Sequence, residues 1–121
     1  MARIIGWAVH AQQPEWFTTA PVFACKKVLS DCGMKPSDID LWEYNEAFAV
    51  VTMAGIKELE IPVEKLNIRG GACSIGHPIG CTGTRLAVTL LHAMKDTSSK
   101  IGLSTMCIGG GEAIAMIFEL V

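Results

Sequence analysis

The chain has 121 residues, of which half are apolar and 18% are charged. This composition is typical of a globular domain with its own core and excludes a disordered chain. The formal net charge is −2 and the basic residues are scattered, which argues against broad electrostatic capture of nucleic acid. No apolar run approaches the roughly 20 residues of a membrane-spanning helix, so we expect no membrane partner.

The N-terminus and the cysteines bear on the compartment. The first residues lack the basic segment followed by an apolar stretch that is typical of a secretory signal, so we expect no such signal. The five cysteines follow no repeated spacing, which favours reduced thiols. The sequence therefore predicts a cytoplasmic location, and an organellar address would need a targeting segment outside these residues.

The first half of the chain alternates predicted strands and helices. Residues 3–10 and 39–44 are apolar enough for strands, and residues 21–32 have the apolar spacing of a helix. A second helix, residues 47–59, is apolar nearly all round at its start, which predicts burial on most sides. Asn45 lies just before it and is of the type that caps helices.

The second half continues this alternation. A short strand is predicted at residues 66–68 and a third helix at residues 82–94. Residues 101–107 and 113–120 are predicted strands joined by a glycine turn, which indicates an antiparallel hairpin. The order of elements predicts an α/β fold in which helices pack on a mixed sheet.

Two glycine-rich loops each carry one reactive side chain. The loop at residues 70–83 contains His77, and the loop at residues 107–111 begins with Cys107. Glycine lets a backbone approach a ligand closely and turn its N–H groups outward. A histidine and a cysteine in such loops suggest acid/base chemistry beside an anion-stabilising pocket.

Each of these side chains has a plainer interpretation. His77 precedes a predicted helix N-terminus, which favours a neutral imidazole that can exchange protons, but a loop histidine can also merely close a turn. Cys107 ends a predicted strand before the amides of residues 108–110, yet an unpaired cysteine is usually a small buried hydrophobe. Asn45 can cap a helix and still contact a ligand, since its amide both donates and accepts.

Two further motifs are weaker. Cys73, His77 and Cys81 are spaced four residues apart and are of the types that bind zinc, but intervening glycines and a proline break the helix that would align them. We therefore expect no metal site. Residues 71–78 superficially resemble a phosphate-binding loop, but the required Lys and Ser/Thr are missing, which argues against nucleotide hydrolysis.

Taken together, three motifs resemble the C-terminal signatures of thiolases. They are Asn-Glu-Ala-Phe at residues 45–48, Gly-Gly leading into Gly-His-Pro-Ile-Gly at residues 70–80, and Cys-Ile-Gly-Gly-Gly at residues 107–111. The resemblance covers nearly the whole chain. It implies that residues 1–121 form a thiolase C-terminal domain, a three-layer α/β half with a mixed, mostly parallel sheet whose last strand is antiparallel.

The resemblance also implies an activity. Thiolases are acyltransferases of fatty acid metabolism that transfer acyl groups between coenzyme A thioesters, by Claisen condensation of acetyl-CoA or thiolysis of 3-ketoacyl-CoA. A nucleophilic cysteine takes the acyl group, and the enolate of a second thioester attacks it. The acyl-CoA is the substrate, and no further cofactor or metal is implied.

By motif match, the resemblance implies a role for each candidate residue. His77 would activate the nucleophile and donate to one oxyanion hole, where Asn45 would hold a water as the second donor. Cys107 would move the α-proton, and the Gly109 amide would donate to the other oxyanion hole.

Three further positions would contact the substrate. The resemblance implies that Ala47, Phe48 and Gly76 bind the acyl-CoA near its thioester.

The acylated cysteine of thiolases lies in an N-terminal half of similar fold, and nothing in these 121 residues matches it. The resemblance therefore implies a partner half, in cis or in trans, and a homo- or hetero-oligomer, with the isolated chain inactive. The alternative is a non-catalytic module that binds itself or a partner through surplus apolar helix surface.

Overall fold

A computed structural model describes residues 2–121. Its first four elements alternate between strand and helix, two more helices and then two strands follow, and short 3₁₀ turns lie in the connections. The elements are β1 (Ala2–Ala11), α1 (Ala20–Asp31), β2 (Leu41–Tyr44), α2 (Ala49–Leu59), α3 (Ala72–Ile75), α4 (Thr82–Thr97), β3 (Ile101–Cys107) and β4 (Glu112–Leu120).

The four strands form one mixed sheet in the order β1-β4-β3-β2. β2 and β3 are parallel neighbours, and the long crossover between them contains α2, α3 and α4. β4 is antiparallel to both of its neighbours, so β1, β2 and β3 run one way and β4 runs the other. The predicted mixed sheet with an antiparallel last strand and a β3–β4 hairpin is confirmed. Three of the four strands share one direction, but two of the three strand pairings are antiparallel.

Helices cover both faces of the sheet, which gives three layers. Trp42 and Tyr44 point into a core beneath α1 and α2. Leu41 points to the opposite face, where it packs with Leu90 and Met94 of α4. Because successive strand residues face opposite sides, the apolar run of β2 serves two cores.

The start of α2 differs from its prediction. Asn45 does not cap the helix, because α2 begins only at Ala49 and Phe48 takes the cap position. The prediction that this helix is buried on most sides is also wrong, since Phe48, Val50 and Met53 are more than half exposed. Apolar residues at this helix start face outward, away from the core of residues 2–121.

The short strand predicted at residues 66–68 is not a strand. Leu66 alone makes one isolated parallel bridge, to Trp42, and Asn67 then turns the chain with a positive φ of 48°. Every helix in the described part of the chain is too short or too polar to cross a bilayer.

Candidate active site

Three loops meet at one edge of the sheet. Because β1, β2 and β3 run the same way, the segments that follow them, residues 12–19, 45–48 and 108–111, lie at the same end, here called the carboxyl edge. The Gln12 amide donates to the Gly111 carbonyl at 3.1 Å. Open α/β sheets commonly bind ligands at this end of their strands.

Cys107 is the last residue of β3 and reaches this edge from the sheet itself. Its backbone pairs with Ala113 of β4, and its side chain is 9% exposed in the core beneath α1 and α2. Burial raises the pKa of the thiol, only partly offset by a hydrogen bond from its own backbone amide. A thiol that stays protonated at neutral pH can serve as a proton donor.

The glycine turn after Cys107 depends on backbone conformations that other residues avoid. Gly109 has a φ of 112° and Gly111 a φ of 99°. A Cβ on Gly111 would lie 2.2 Å from the Gln12 carbonyl oxygen, so only glycine fits there. The Ile108 amide donates to the Glu112 carbonyl at 2.8 Å, whereas the Gly109 amide has no acceptor among residues 2–121. This N–H group is therefore free for a ligand.

Asn45 comes directly after β2 and is completely buried. Its backbone amide donates to the Thr105 carbonyl at 2.9 Å, which places it beside the end of β3. Neither polar atom of its side-chain amide has a hydrogen-bond partner among residues 2–121. Leaving such a group unpaired costs about 1–3 kcal/mol, so this amide favours a small polar ligand.

His77 reaches the carboxyl edge from the other side of the sheet, in the loop before α4. Its Nδ1 lies 2.6 Å from Oγ1 of Thr82, the first residue of α4. The next residue, Gly83, lies beside β3: a Cβ there would be in van der Waals contact, at 3.4 Å, with Cε of Met106, the neighbour of Cys107. Gly76, just before the histidine, has a φ of 94°. The loop that carries His77 therefore lies at the same end of the sheet as Asn45 and Cys107.

The Glu46 carboxylate fastens this histidine loop to the end of β2. Its Oε2 accepts from the Cys73 amide at 2.8 Å and its Oε1 accepts from Asn67 Nδ2 at 2.9 Å. A Cβ on Gly71 would lie 2.4 Å from the carboxylate, so a glycine is required for this approach. Although partial burial raises the pKa of Glu46, these hydrogen bonds outweigh it and lower the pKa overall.

A buried ion pair joins α4 to β2, and the sequence analysis missed it. Arg85 Nη1 lies 2.9 Å from Glu43 Oε2, and the Glu43 side chain is 1% exposed. Burial raises the pKa of Glu43 to about 7, although Arg85 acts to lower it. The available signal was a lone carboxylate in an otherwise apolar strand, since such a group must find a partner when it is buried.

An apolar wall completes the edge. The Phe48 ring meets the Phe17 ring edge-on, with centroids 6.0 Å apart. Ala47 is half-buried and packs against the core that contains Cys107. Phe17 follows the first strand and belongs to none of the motifs in the sequence, so it was not predicted as a site residue.

The cysteines near His77 do not build a metal centre. Cys73 and Cys81 are exposed free thiols. Residues 2–121 hold no group of three or more His, Cys, Asp or Glu side chains placed to bind a metal ion. The histidine loop therefore brings His77 to Thr82 rather than to the two cysteines.

Comparison with known proteins identifies the family. The sequence profile described as "Thiolase, C-terminal domain" matches residues 1–120. The chain belongs to the thiolase family. It is 48% identical over 120 residues to acetyl-CoA acetyltransferase 2 of Arabidopsis thaliana, covering 99% of this chain and 30% of that protein. It is 50% identical to the mitochondrial acetyl-CoA acetyltransferase of Bos taurus, covering 98% of this chain and 28% of that protein.

Solved thiolase structures have the same architecture. The acetyl-CoA acetyltransferase of Bacillus anthracis superposes with a TM-score of 0.97 at 39% identity, covering all of this chain and 31% of that one. The human mitochondrial 3-ketoacyl-CoA thiolase superposes with a TM-score of 0.95 at 37% identity, covering 99% and 30%. The chain therefore spans about 30% of the length of these relatives.

Proposed function

We propose that these residues form the acid/base and oxyanion-binding half of an acyltransferase that moves acyl groups between coenzyme A thioesters. The reaction is the Claisen condensation of acetyl-CoA or the thiolysis of 3-ketoacyl-CoA. The proposal is carried by the positions of the segments that contain Asn45, His77 and Cys107, which lie at the same end of the sheet, in a chain whose relatives are named for this chemistry.

The Cys107 side of the site would handle the α-proton. In condensation, the Cys107 thiol first gives its proton to the coenzyme A thiolate that leaves the acylation step, and the resulting Cys107 thiolate removes a proton from the α-carbon of the second thioester. The negative charge then moves to the thioester oxygen as an enolate. In cleavage, the Cys107 thiol gives its proton to the α-carbon of the departing acetyl-CoA enolate. The free amide of Gly109 is a suitable donor to such an oxyanion, because a preorganised N–H group stabilises charge that develops during the reaction.

The His77 side would handle the nucleophile. Its imidazole takes the proton from a cysteine thiol outside these residues, and the resulting thiolate attacks the acyl carbon to form an acyl-enzyme. The bond to the leaving group breaks in this step: coenzyme A thiolate leaves in condensation and the acetyl-CoA enolate leaves in cleavage, each taking up the proton of Cys107. Protonated His77 then donates to an oxyanion, together with a water held by Asn45. The buried, unpartnered amide of Asn45 supports this last role, since a water would satisfy both of its polar atoms.

Substrate contacts would come from the same edge. Ala47 packs against the core that contains Cys107, the exposed Phe48 ring follows it, and the glycine backbone at Gly76 allows a thioester to approach closely. The coenzyme A thioester is the substrate, and the proposed reaction uses neither a metal nor a separate cofactor.

A second half must supply the nucleophile, and an open apolar groove supports its docking. The groove lies between α4 and the sheet, and its walls include Ile4, Val88, Met106 and Ile114. Ile4 and Val88 are at least half exposed. We propose that residues 1–121 act as one domain, and that the thiolase N-terminal half covers this groove in cis or in trans. We expect the resulting protein to form a homo- or hetero-oligomer.

The pathway and compartment are part of the same proposal. We place the activity in fatty acid metabolism and, from the sequence, in the cytoplasm, although several relatives are named mitochondrial. Cell fractionation with antibody detection tests the compartment.

A reconstitution assay tests the function. The purified 121-residue chain is mixed with acetoacetyl-CoA and coenzyme A, alone and after co-expression with the N-terminal half of a full-length acetyl-CoA acetyltransferase. Loss of acetoacetyl-CoA is followed spectroscopically. We expect no turnover by the chain alone, because the acyl-accepting thiol is absent, and turnover by the pair.

Two results would contradict the proposal. Thiolysis by the pure chain that Cys107→Ala abolishes would mean that this half suffices. A stable pair with no turnover and no coenzyme A affinity would favour the non-catalytic binding module instead. Size-exclusion chromatography distinguishes a pair that fails to form from one that forms and is inactive.

A further inference from the structure

The Thr82 hydroxyl has two partners and only one hydrogen to share between them. Its Oγ1 lies 3.1 Å from the Pro78 carbonyl oxygen and 2.6 Å from His77 Nδ1. Thr82 is 1% exposed, so solvent does not reach its hydroxyl. The hydroxyl also sits in the first turn of α4, where the helix backbone holds it in place.

The chemistry of the two partners decides the direction of each hydrogen bond. A carbonyl oxygen only accepts, so the Thr82 hydroxyl hydrogen must point at Pro78. The Thr82 oxygen is then the acceptor toward the ring, and His77 Nδ1 must carry a hydrogen. In a neutral imidazole the other nitrogen, Nε2, is left with the lone pair.

We propose that Thr82 is a positioning residue that fixes His77 in the Nδ1–H tautomer, with Nε2 as its basic nitrogen. The inference deepens the proposed function and rests on it for its catalytic meaning. Within residues 2–121, Nε2 has no hydrogen-bond partner, so it is available to an incoming thiol. The proton of that thiol moves to Nε2, the sulfur keeps the electron pair, and Nδ1–H stays bonded to Thr82.

The tautomer is directly measurable on this chain by ¹⁵N-edited NMR of the histidine rings. At alkaline pH, where imidazole is neutral, we expect the wild-type His77 ring to be mainly Nδ1–H. Thr82→Val keeps the shape of the side chain and removes the hydroxyl. In that variant we expect the ring to shift to the Nε2–H tautomer that free histidine favours in water. His77→Gln identifies the signals.

Two matched variants separate this role from a general loss of folding. Thr82→Ser keeps the hydroxyl and should keep the wild-type tautomer. Thr97→Val removes a hydroxyl that donates to the Ala93 carbonyl at 2.9 Å, at the far end of the same helix. It should leave the His77 signals unchanged. Thermal melting of each variant shows whether it is folded.

Kinetics of the reconstituted pair give the second readout. We expect Thr82→Val to lower kcat about tenfold or more with KM within about threefold, and Thr82→Ser to restore most of it. A wild-type ring found as Nε2–H, or a folded Thr82→Val chain with the wild-type tautomer, would overturn the inference. Because NMR requires no turnover, either result is independent of whether the chain supports acyl transfer.

Discussion

The two reactive loops reach the same edge of the sheet but are held there by different means. Cys107 is placed by the ladder between β3 and β4 and is buried in the core. His77 is exposed and lies in a loop without regular structure, where side chains of Glu46 and Thr82 hold it and its neighbours. Backbone pairing depends little on side-chain identity, whereas a loop held by polar side chains depends on each of them.

Substitutions in the two loops should therefore affect function in different ways. Changes near Cys107 should act through its own sulfur, because the sheet keeps its position. Changes near His77 should act at a distance, through residues that never touch the substrate. Variants of the two loops can therefore separate the proposed chemistry from the positioning that supports it.

The largest expected effect is that of removing the Cys107 sulfur. In the reconstituted pair, Cys107→Ala should lower kcat by roughly 10²–10⁴-fold, because a general acid/base contributes about that much. The fold should remain, since alanine fits a small buried site. Steady-state kinetics and thermal melting measure the two effects, and a loss of activity below about tenfold would exclude the proposed proton transfer.

A similar loss is expected for the imidazole. His77→Ala should cost several powers of ten in kcat, because a base and an oxyanion donor disappear together. Its melting temperature should barely change, since the side chain is exposed. The comparison with Cys107→Ala is made in the same assay. If His77→Ala retains more than a tenth of the activity, the residue does not have the proposed role.

Loosening the histidine loop should have a smaller effect. Glu46→Gln keeps the shape but presents an NH₂ group to one of two donors, the Cys73 amide or Asn67 Nδ2. We expect kcat to fall about tenfold and the free energy of unfolding to fall by about 1–2 kcal/mol. Kinetics and urea titration measure both.

A surface carboxylate provides the control for Glu46. Glu58 is exposed and meets Lys26 Nζ at 3.5 Å, so Glu58→Gln should change stability by no more than about 0.5 kcal/mol and leave kcat unchanged. Equal behaviour of the two variants would mean that the Glu46 contacts do not position the loop.

The smallest expected effect concerns the pH dependence of stability, through the Glu43–Arg85 pair beneath α4. Burial raises the pKa of Glu43 from 4.5 to about 7, so between these values the folded state binds more protons than the unfolded state. Its contribution to stability is therefore present at low pH and is lost as the pH rises through about 7. Glu43→Gln has no such proton to lose.

Circular dichroism melts across this pH range test the sign. The melting temperature of the wild-type chain, minus that of Glu43→Gln, should fall as the pH increases from 4.5 to 7. A difference that stays constant over this range would show that Glu43 remains ionised in the fold. A difference that rises would show that Arg85 outweighs burial.

Predictions from the sequence were accurate where they depended on neighbouring residues and wrong where they depended on residues far along the chain. The β3–β4 hairpin was predicted closely because a glycine turn between two apolar runs is a local feature. The cap assigned to Asn45 was wrong, because its surroundings depend on β3, about 60 residues further along the chain. The exposed face at Val50 and Met53 could not be predicted, since an apolar pattern does not say which partner covers it.

The amino-acid sequence by itself determined the α/β class, the three motifs of the family and the identity of the reactive groups, because these depend on residue type and short spacings. Only the tertiary structure decided that the segments carrying Asn45, His77 and Cys107 lie at the same end of the sheet, that Glu43 is paired with Arg85, and that Thr82 contacts the imidazole. The physical reason is that hydrogen bonds act over about 3 Å between groups that the fold alone brings together.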